Sequence, residues 1–276
     1  MRKAILAAAS AASFLFALSA PVGASDLFSV EYSGFTPLYR MDQATGAASI
    51  IGASGFDGVG DLTSDTRPSS ATVWGIRIAS NQLLKFDTST GAATSAATLD
   101  SATSMVSLAF DPVGHRLFGN TSVTYGAVTD HLFSIDPTTG ATVDIGQIGF
   151  NDVFALGFAQ NGKLYGVSNA TSPNKLILID TATGAGSLVA SLQLSAVFDI
   201  AARPEDGTMF LAESASGRLW TLDTTTGIAT NVGPYGGAVP PNLVGLAFSA
   251  VPEPSTASLA LLAGGVSLLA RRRRQA

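Results

Sequence analysis

Leu83-Leu-Lys-Phe-Asp87-Thr-Ser-Thr90-Gly91 is one of five passages in which an apolar run leads into the phrase Asp-x-x-Thr-Gly. The other phrases are Asp42-Gln-Ala-Thr45-Gly46, Asp136-Pro-Thr-Thr139-Gly140, Asp180-Thr-Ala-Thr183-Gly184 and Asp223-Thr-Thr-Thr226-Gly227. They recur at intervals of 45, 49, 44 and 43 residues, the period of a repeated structural unit rather than of one active site. Apolar residues flank each phrase on both sides, which reads as two strands joined by a turn. In that turn the Asp carboxylate and the Thr hydroxyl accept backbone N–H groups, and Gly supplies a positive φ without a Cβ clash. A calcium loop is the competing reading, but the phrase lacks the D-x-D-x-D-G density of oxygen ligands.

Two further strands lie between successive phrases. The first occupies residues 60–64, 106–110, 154–158, 198–202 and 244–248, and the second begins near Val73, Arg116, Lys163 and Met209. Four antiparallel strands in about 45 residues make one β-propeller blade. The chain closes its repeats on an unpartnered first strand, Val244 to Phe248, and opens them on an unpartnered second strand, Leu27 to Glu31. Pairing these two yields a composite fifth blade and removes the exposed edges of an open array. The expected fold is therefore all-β: a five-bladed β-propeller over residues 25–250.

Composition agrees. Charged residues make up only 13% of the chain and there are 29 glycines, a balance suited to short strands and tight turns. The absence of cysteine excludes disulfides, thiol nucleophiles and thiolate metal ligands. Arg2 and Lys3, an apolar run from Ala4 to Ala20 and the small residues of Val22-Gly23-Ala24 form a secretory signal peptide, residues 1–24. With Arg2, Lys3 and Arg271 to Arg274 outside it, and Glu253 as well, the segment 26–250 holds 9 Lys and Arg against 19 Asp and Glu, a net charge near −10. Such a surface repels phosphate backbones and argues against nucleic acid as a partner.

In the first strands one position reads Asp61, Ser107, Ala155, Asp199 and Gly245, followed by Leu62, Leu108, Leu156, Ile200 and Leu246. A five-fold centre needs small side chains at the former set, while the latter should pack between blades. Asp61 and Asp199 break the small-residue pattern and are expected to face a central channel, with Asp57, Ser104, Asp152 and Asn242 at its mouth. These groups suit a polar pocket for a cation such as Ca2+ or for a hydroxyl-rich ligand, or paired carboxylates for glycoside hydrolysis. The plainer alternative is acids that bind water and backbone N–H groups. Phe56, Phe150 and Tyr235 in the loops entering these strands either stack on a sugar ring or pack the loops. His115 and His131 have no nucleophile signature beside them, and no phosphate loop, dinucleotide fingerprint or zinc spacing occurs.

Beyond Ala250 comes Val251-Pro252-Glu253-Pro254, then sixteen uncharged and mostly apolar residues from Ser255 to Ala270, then Arg271-Arg272-Arg273-Arg274. As a helix the apolar run would extend about 24 Å, slightly short of a ~30 Å hydrocarbon core. Flanking arginines would hold its end in the cytoplasm. This order of motif, membrane segment and basic cluster over residues 251–276 resembles the PEP-CTERM sorting signal of Gram-negative bacteria. The resemblance implies recognition of residues 251–254 by the membrane protease-transpeptidase exosortase and removal of the tail. It also implies transient anchoring in the inner membrane with the domain periplasmic, then release to or attachment at the cell surface, often in bacteria that make exopolysaccharide. The catalytic groups would be those of exosortase. The expected role is that of a non-enzymatic, surface-sorted propeller that binds or structures the cell envelope or polysaccharide matrix. The alternative is a secreted hydrolase acting on polysaccharide through Asp61, Asp199 or Asp152, and a third reading is an ion-stabilised structural ring.

Overall fold

The computed structural model describes residues 24–32, 34–67, 71–236 and 242–250. They belong to one compact unit, Ala24–Val251. The signal peptide, the sorting motif Val251 to Pro254, the segment 255–270 and the cluster Arg271 to Arg274 lie outside the described residues, apart from Ala24. Among the described residues no helix is long and apolar enough to cross a membrane.

Three strands open the chain: β1 (Leu27–Glu31), β2 (Pro37–Met41) and β3 (Ala48–Ala53). Four complete blades follow: β4 (Val59–Asp65), β5 (Thr72–Arg77), β6 (Gln82–Phe86) and β7 (Ala93–Thr98); β8 (Met105–Phe110), β9 (Leu117–Thr121), β10 (His131–Ile135) and β11 (Thr142–Gln147); β12 (Val153–Phe158), β13 (Leu164–Ser168), β14 (Asn174–Ile179) and β15 (Gly186–Leu192); β16 (Val197–Ala202), β17 (Met209–Glu213), β18 (Arg218–Leu222) and β19 (Ala229–Pro234). The last strand, β20 (Leu243–Phe248), pairs antiparallel with β1, so the first blade runs β20-β1-β2-β3. The ring is thus sealed by the two ends of the domain, as the unpartnered strands predict.

The core is five seams rather than one centre. Each seam holds one buried apolar cluster drawn from two adjacent blades. Leu62, Leu108, Leu156, Ile200 and Leu246 are distributed one to each seam, all at most 1% exposed. Burying each such side chain contributes about 1.5–3 kcal/mol, so the alternation of the inner strand places one blade-to-blade anchor per repeat.

The five phrases form the expected turns. Each Asp accepts a backbone N–H two residues on, as Asp87 Oδ1 does from Ser89 at 2.8 Å. Each Thr hydroxyl accepts the N–H two residues on at 3.3–3.4 Å. Each Gly has a φ between 73° and 81°. The turns also do what the sequence does not announce: each Gly abuts the outermost strand of the preceding blade. A Cβ on Gly91 would lie 2.6 Å from the Gly52 carbonyl oxygen of β3, and one on Gly140 would lie 2.2 Å from that of Thr98 in β7. The phrases therefore form an outer ring of contacts as well as hairpin turns.

A comparison of glycines isolates that contact. Gly149 has a φ of 78° and nothing within 4 Å of an added Cβ, whereas Gly91, at 81°, meets backbone. Gly149→Ala is expected to cost about 1–2 kcal/mol from the left-handed conformation alone. Gly91→Ala should cost about 1–3 kcal/mol more, through displacement of the neighbouring blade. Urea denaturation of the two variants measures the difference; equal losses would show that the turn does not bear on β3.

Candidate functional site

The five inner strands β4, β8, β12, β16 and β20 surround the axis, and all begin at the same end of the ring, here the front. In four of them the pairing to the second strand slips by one residue, leaving Gly60, Val106, Phe154 and Phe198 as bulges. In β20 the irregularity falls between Leu243 and Leu246. A bulge bends its strand and re-aims a side chain. Here Gly60, Val106, Phe154, Phe198 and Val244 all border a front cavity of about 250 Å³ on the ring axis.

Loops complete the cavity. Ile78 fills the space that Gly60 leaves, its Cδ1 lying 2.1 Å from where a Cβ would sit. Tyr32, after β1, and Tyr125, between β9 and β10, bring their hydroxyls to 3.5 Å. Burial, with Tyr32 adding to it, pushes the Tyr125 phenol up to about 12. The Tyr125 ring stands edge-on to Phe154 at 6.2 Å, and Phe154 meets Phe198 at 5.7 Å. Polar edges come from Ser214 and Asn242. The site is an aromatic and aliphatic cup with a hydroxyl and amide rim, suited to a ligand that has an apolar face and a polar edge.

The residues expected at the mouth hold this cup in place. Asp57 pairs with Arg77. Asp152 accepts the hydroxyls of Ser122 at 3.2 Å and Thr124 at 2.6 Å, which fixes the loop that carries Tyr125. Asn242 donates to the Tyr32 carbonyl at 3.3 Å. Asp130, which the sequence pattern did not single out, pins the same loop: its two oxygens accept Val123 N–H and Val153 N–H, each at 2.8 Å. Burial raises its carboxyl to about 6 against the pull of these bonds. Among the described residues no group of three or more His, Asp or Glu is placed to hold a metal ion. Of the loop aromatics, Tyr235 is buried and donates to the Glu213 carbonyl at 3.1 Å. Phe56 and Phe150 pack against the seams.

Asp61 and Asp199 do not look into an open channel. Both are fully buried one residue beneath the cup, because the inner strands converge too closely to admit solvent. Asp61 Oδ2 accepts the Leu108 N–H of the next blade at 2.6 Å, and Asp199 accepts those of Leu246 and Ile200. Ser107 donates to the Phe154 carbonyl at 2.7 Å in the same manner. Asp61 Oδ1 receives no bond from any N–H or hydroxyl; its neighbour is the Asp199 carboxyl. A proton held between the two acids satisfies it. Burial raises both well above the usual carboxylate range, and for Asp199 the neighbouring Asp61 charge adds to this. The pair is a proton-sharing clasp across the ring rather than a substrate-facing acid and base.

Comparisons with known proteins bear on both the ring and the tail. The PEP-CTERM protein-sorting motif matches residues 250–274. No curated protein matches the chain. A solved chain of the nidogen/laminin complex superposes with a TM-score of 0.57 at 11% identity, over 82% of this chain and 98% of its own. The PQQ-bound form of aldose sugar dehydrogenase from Streptomyces coelicolor aligns over 70% of this chain and 86% of its own, at 12% identity and a TM-score of 0.46. Likeness at such identity is a matter of fold. The chain is an exported five-bladed β-propeller. More particularly, it carries a PEP-CTERM sorting signal at residues 250–274, the mark of a protein held transiently at a membrane during export.

The clasp makes stability depend on pH. Because both folded-state pKa values are raised, the proton stabilises the folded ring fully below the unfolded carboxylate pKa of about 4, and that stabilisation is lost as pH rises through the folded values. Asp199→Asn keeps a donor toward Asp61 and an acceptor for the Leu246 N–H while removing one acid. Its melting temperature is expected to fall less than that of the natural protein between pH 5 and pH 8. Asp199→Ala, which leaves Asp61 Oδ1 unpaired, should be about 1–3 kcal/mol less stable at pH 5. Parallel pH profiles for the natural protein and Asp199→Asn would refute the shared proton.

Proposed function

We propose that this chain is a non-enzymatic binding module displayed at the cell surface or in the polysaccharide matrix, with the front cup as its ligand site. The observation that carries this reading is the bulge in the inner strands, which turns apolar side chains of the blades toward one axial cavity. Of the acids that hydrolysis would need, Asp61 and Asp199 lie sealed beneath that cavity and spend their oxygens on backbone N–H groups and on each other, and Asp152 is engaged by the Ser122 and Thr124 hydroxyls. A sugar ring has the required character, with an apolar face for Phe154 and Phe198 and hydroxyls for Ser214, Asn242 and the tyrosine pair. The tail accounts for delivery: exosortase would recognise Val251 to Pro254 and remove the segment that follows, leaving the ring outside the cell.

Two measurements test the two halves separately. Replacement of Glu253 by Ala, or truncation after Ala250, is expected to abolish surface display in cell fractionation; unchanged display in both variants would remove the sorting half. On a glycan array, residues 25–250 should retain a matrix sugar, and Phe154→Ala and Phe198→Ala should each weaken binding by about tenfold, near the upper worth of an aromatic contact. Sugar release by the natural protein that Asp61→Asn abolishes would overturn the non-enzymatic reading.

A further inference from the structure

Ser25, two residues before β1, is buried at 2% exposure, whereas Ala24 before it is exposed. The fold thus begins at the bond that the small residues Val22-Gly23-Ala24 mark for a signal peptidase. Ser25 lies at the back of the ring, the end opposite the front cup, where the blade β20-β1-β2-β3 packs against the blade β16–β19. Its N–H and its hydroxyl are both taken by one side chain of that neighbour. Glu205, in the turn between β16 and β17, accepts the N–H on Oε1 and the hydroxyl on Oε2, the latter at 2.9 Å.

Both blades build this corner. The Ser25 carbonyl accepts Gln43 Nε2 at 2.6 Å, and Gln43 Oε1 accepts Arg203 Nη1 at 3.2 Å. One residue on, the Asp26 N–H donates to Ser249 Oγ and the Ser249 N–H to the Asp26 carbonyl, each at 2.8 Å, so the two ends of the domain are fastened at the same place. Glu205 itself lacks a cation. Arg203 is clasped by Asp206, Nε to Oδ1 at 2.9 Å and Nη2 to Oδ2 at 2.5 Å, and among the described residues Glu205 forms no ion pair. A comparable turn, closed by the His115 N–H on the Asp111 carbonyl as this one is by the Gly207 N–H on the Arg203 carbonyl, follows β8. There the place of Glu205 is taken by Val113, 62% exposed. The acid stands on the turn that Ser25 meets and an apolar residue on the turn that it does not.

We propose that the chain is cut between Ala24 and Ser25, and that the α-ammonium so released pairs with Glu205 and locks the composite blade to its neighbour. Water adds across the Ala24–Ser25 amide under a membrane signal peptidase. The C–N bond breaks, the Ala24 carbonyl carbon keeps the water oxygen as a carboxylate, and the Ser25 nitrogen takes both water protons to become an ammonium. The cut precedes folding, because the folded ring buries Ser25. In the uncut chain Glu205 receives a neutral N–H; after the cut the same nitrogen donates with a positive charge, and charged bonds of this kind are roughly twice as strong. Glu205 is exposed on its outer side, so the pair contributes at the scale of a surface ion pair. Ring closure is in this way completed by maturation, independently of what the front cup binds.

Mass spectrometry of the full chain exported by a Gram-negative host should find Ser25 as the first residue. The ring is closed within the described residues, so residues 25–250 serve for the remaining measurements. A form that begins at Ala24 keeps every side chain of the ring but moves the ammonium outward by about 3.8 Å and returns an amide N–H to Glu205. It should melt about 2–3 °C below the form that begins at Ser25. Glu205→Gln should lower the melting temperature of the Ser25 form more than that of the Ala24 form, whereas a Glu205 that only accepts the N–H and the hydroxyl would matter equally to both. Periodate, which cleaves a free amine beside a hydroxyl, reads the seat directly: the folded Ser25 form should react about fivefold more slowly than its Glu205→Gln variant. If that variant fails to fold, the comparison of the Ser25 and Ala24 forms, which needs no substitution, decides. The proposal is overturned by a different first residue in the exported protein, by equal melting of the two forms, by equal losses from Glu205→Gln in both, or by equal periodate rates.

Discussion

Five sheets can share one axis only if their innermost strands come nearly into contact. That crowding governs which side chains the centre accepts. At Gly245 an added Cβ would sit 2.4 Å from the Leu62 backbone nitrogen, so one blade permits no side chain at all. Elsewhere on the ring the same position is Ala155, or a polar group short enough to bond the next strand: Ser107, Asp61 and Asp199. The carboxyl–N–H bonds are at once a consequence of the crowding and a remedy for it, since each satisfies a group that no water reaches. Two acids can coexist there because they share a proton, and a proton between carboxyls occupies almost no volume.

The bulges follow from the same constraint. A regular inner strand would alternate strictly between seam and axis, and every axial side chain would meet its four counterparts in a space that holds almost nothing. Inserting one residue before the crowded position lets the strand turn outward at the front, where the ring widens. Gly60, Val106, Phe154 and Phe198 occupy that inserted place. They can differ freely among blades because no interblade bond depends on their side chains. Framework and ligand surface are therefore separated by a single residue along each strand: Asp61 clasps the ring while Gly60 shapes the cup, and Asp199 clasps it while Phe198 lines it.

This separation explains what could be read from the sequence. The period of Asp-x-x-Thr-Gly, the alternation of Leu62 and its counterparts and the two unpartnered end strands are local patterns with one structural solution, so blade number and closure were legible. The axial acids were legible as exceptions but not as partners. Asp61 and Asp199 are 138 positions apart in the chain, and only the closed ring brings their carboxyls together. The bulges were hidden for a different reason. An extra residue in one strand leaves no mark until its pairing partner is known, so Phe154 and Phe198 read as ordinary strand apolars while Phe56, Phe150 and Tyr235 drew the attention. Asn242 borders the cavity, and the bonds of Asp152, Asp57 and Asn242 to Thr124, Arg77 and Tyr32 make all three supports of the loops around it.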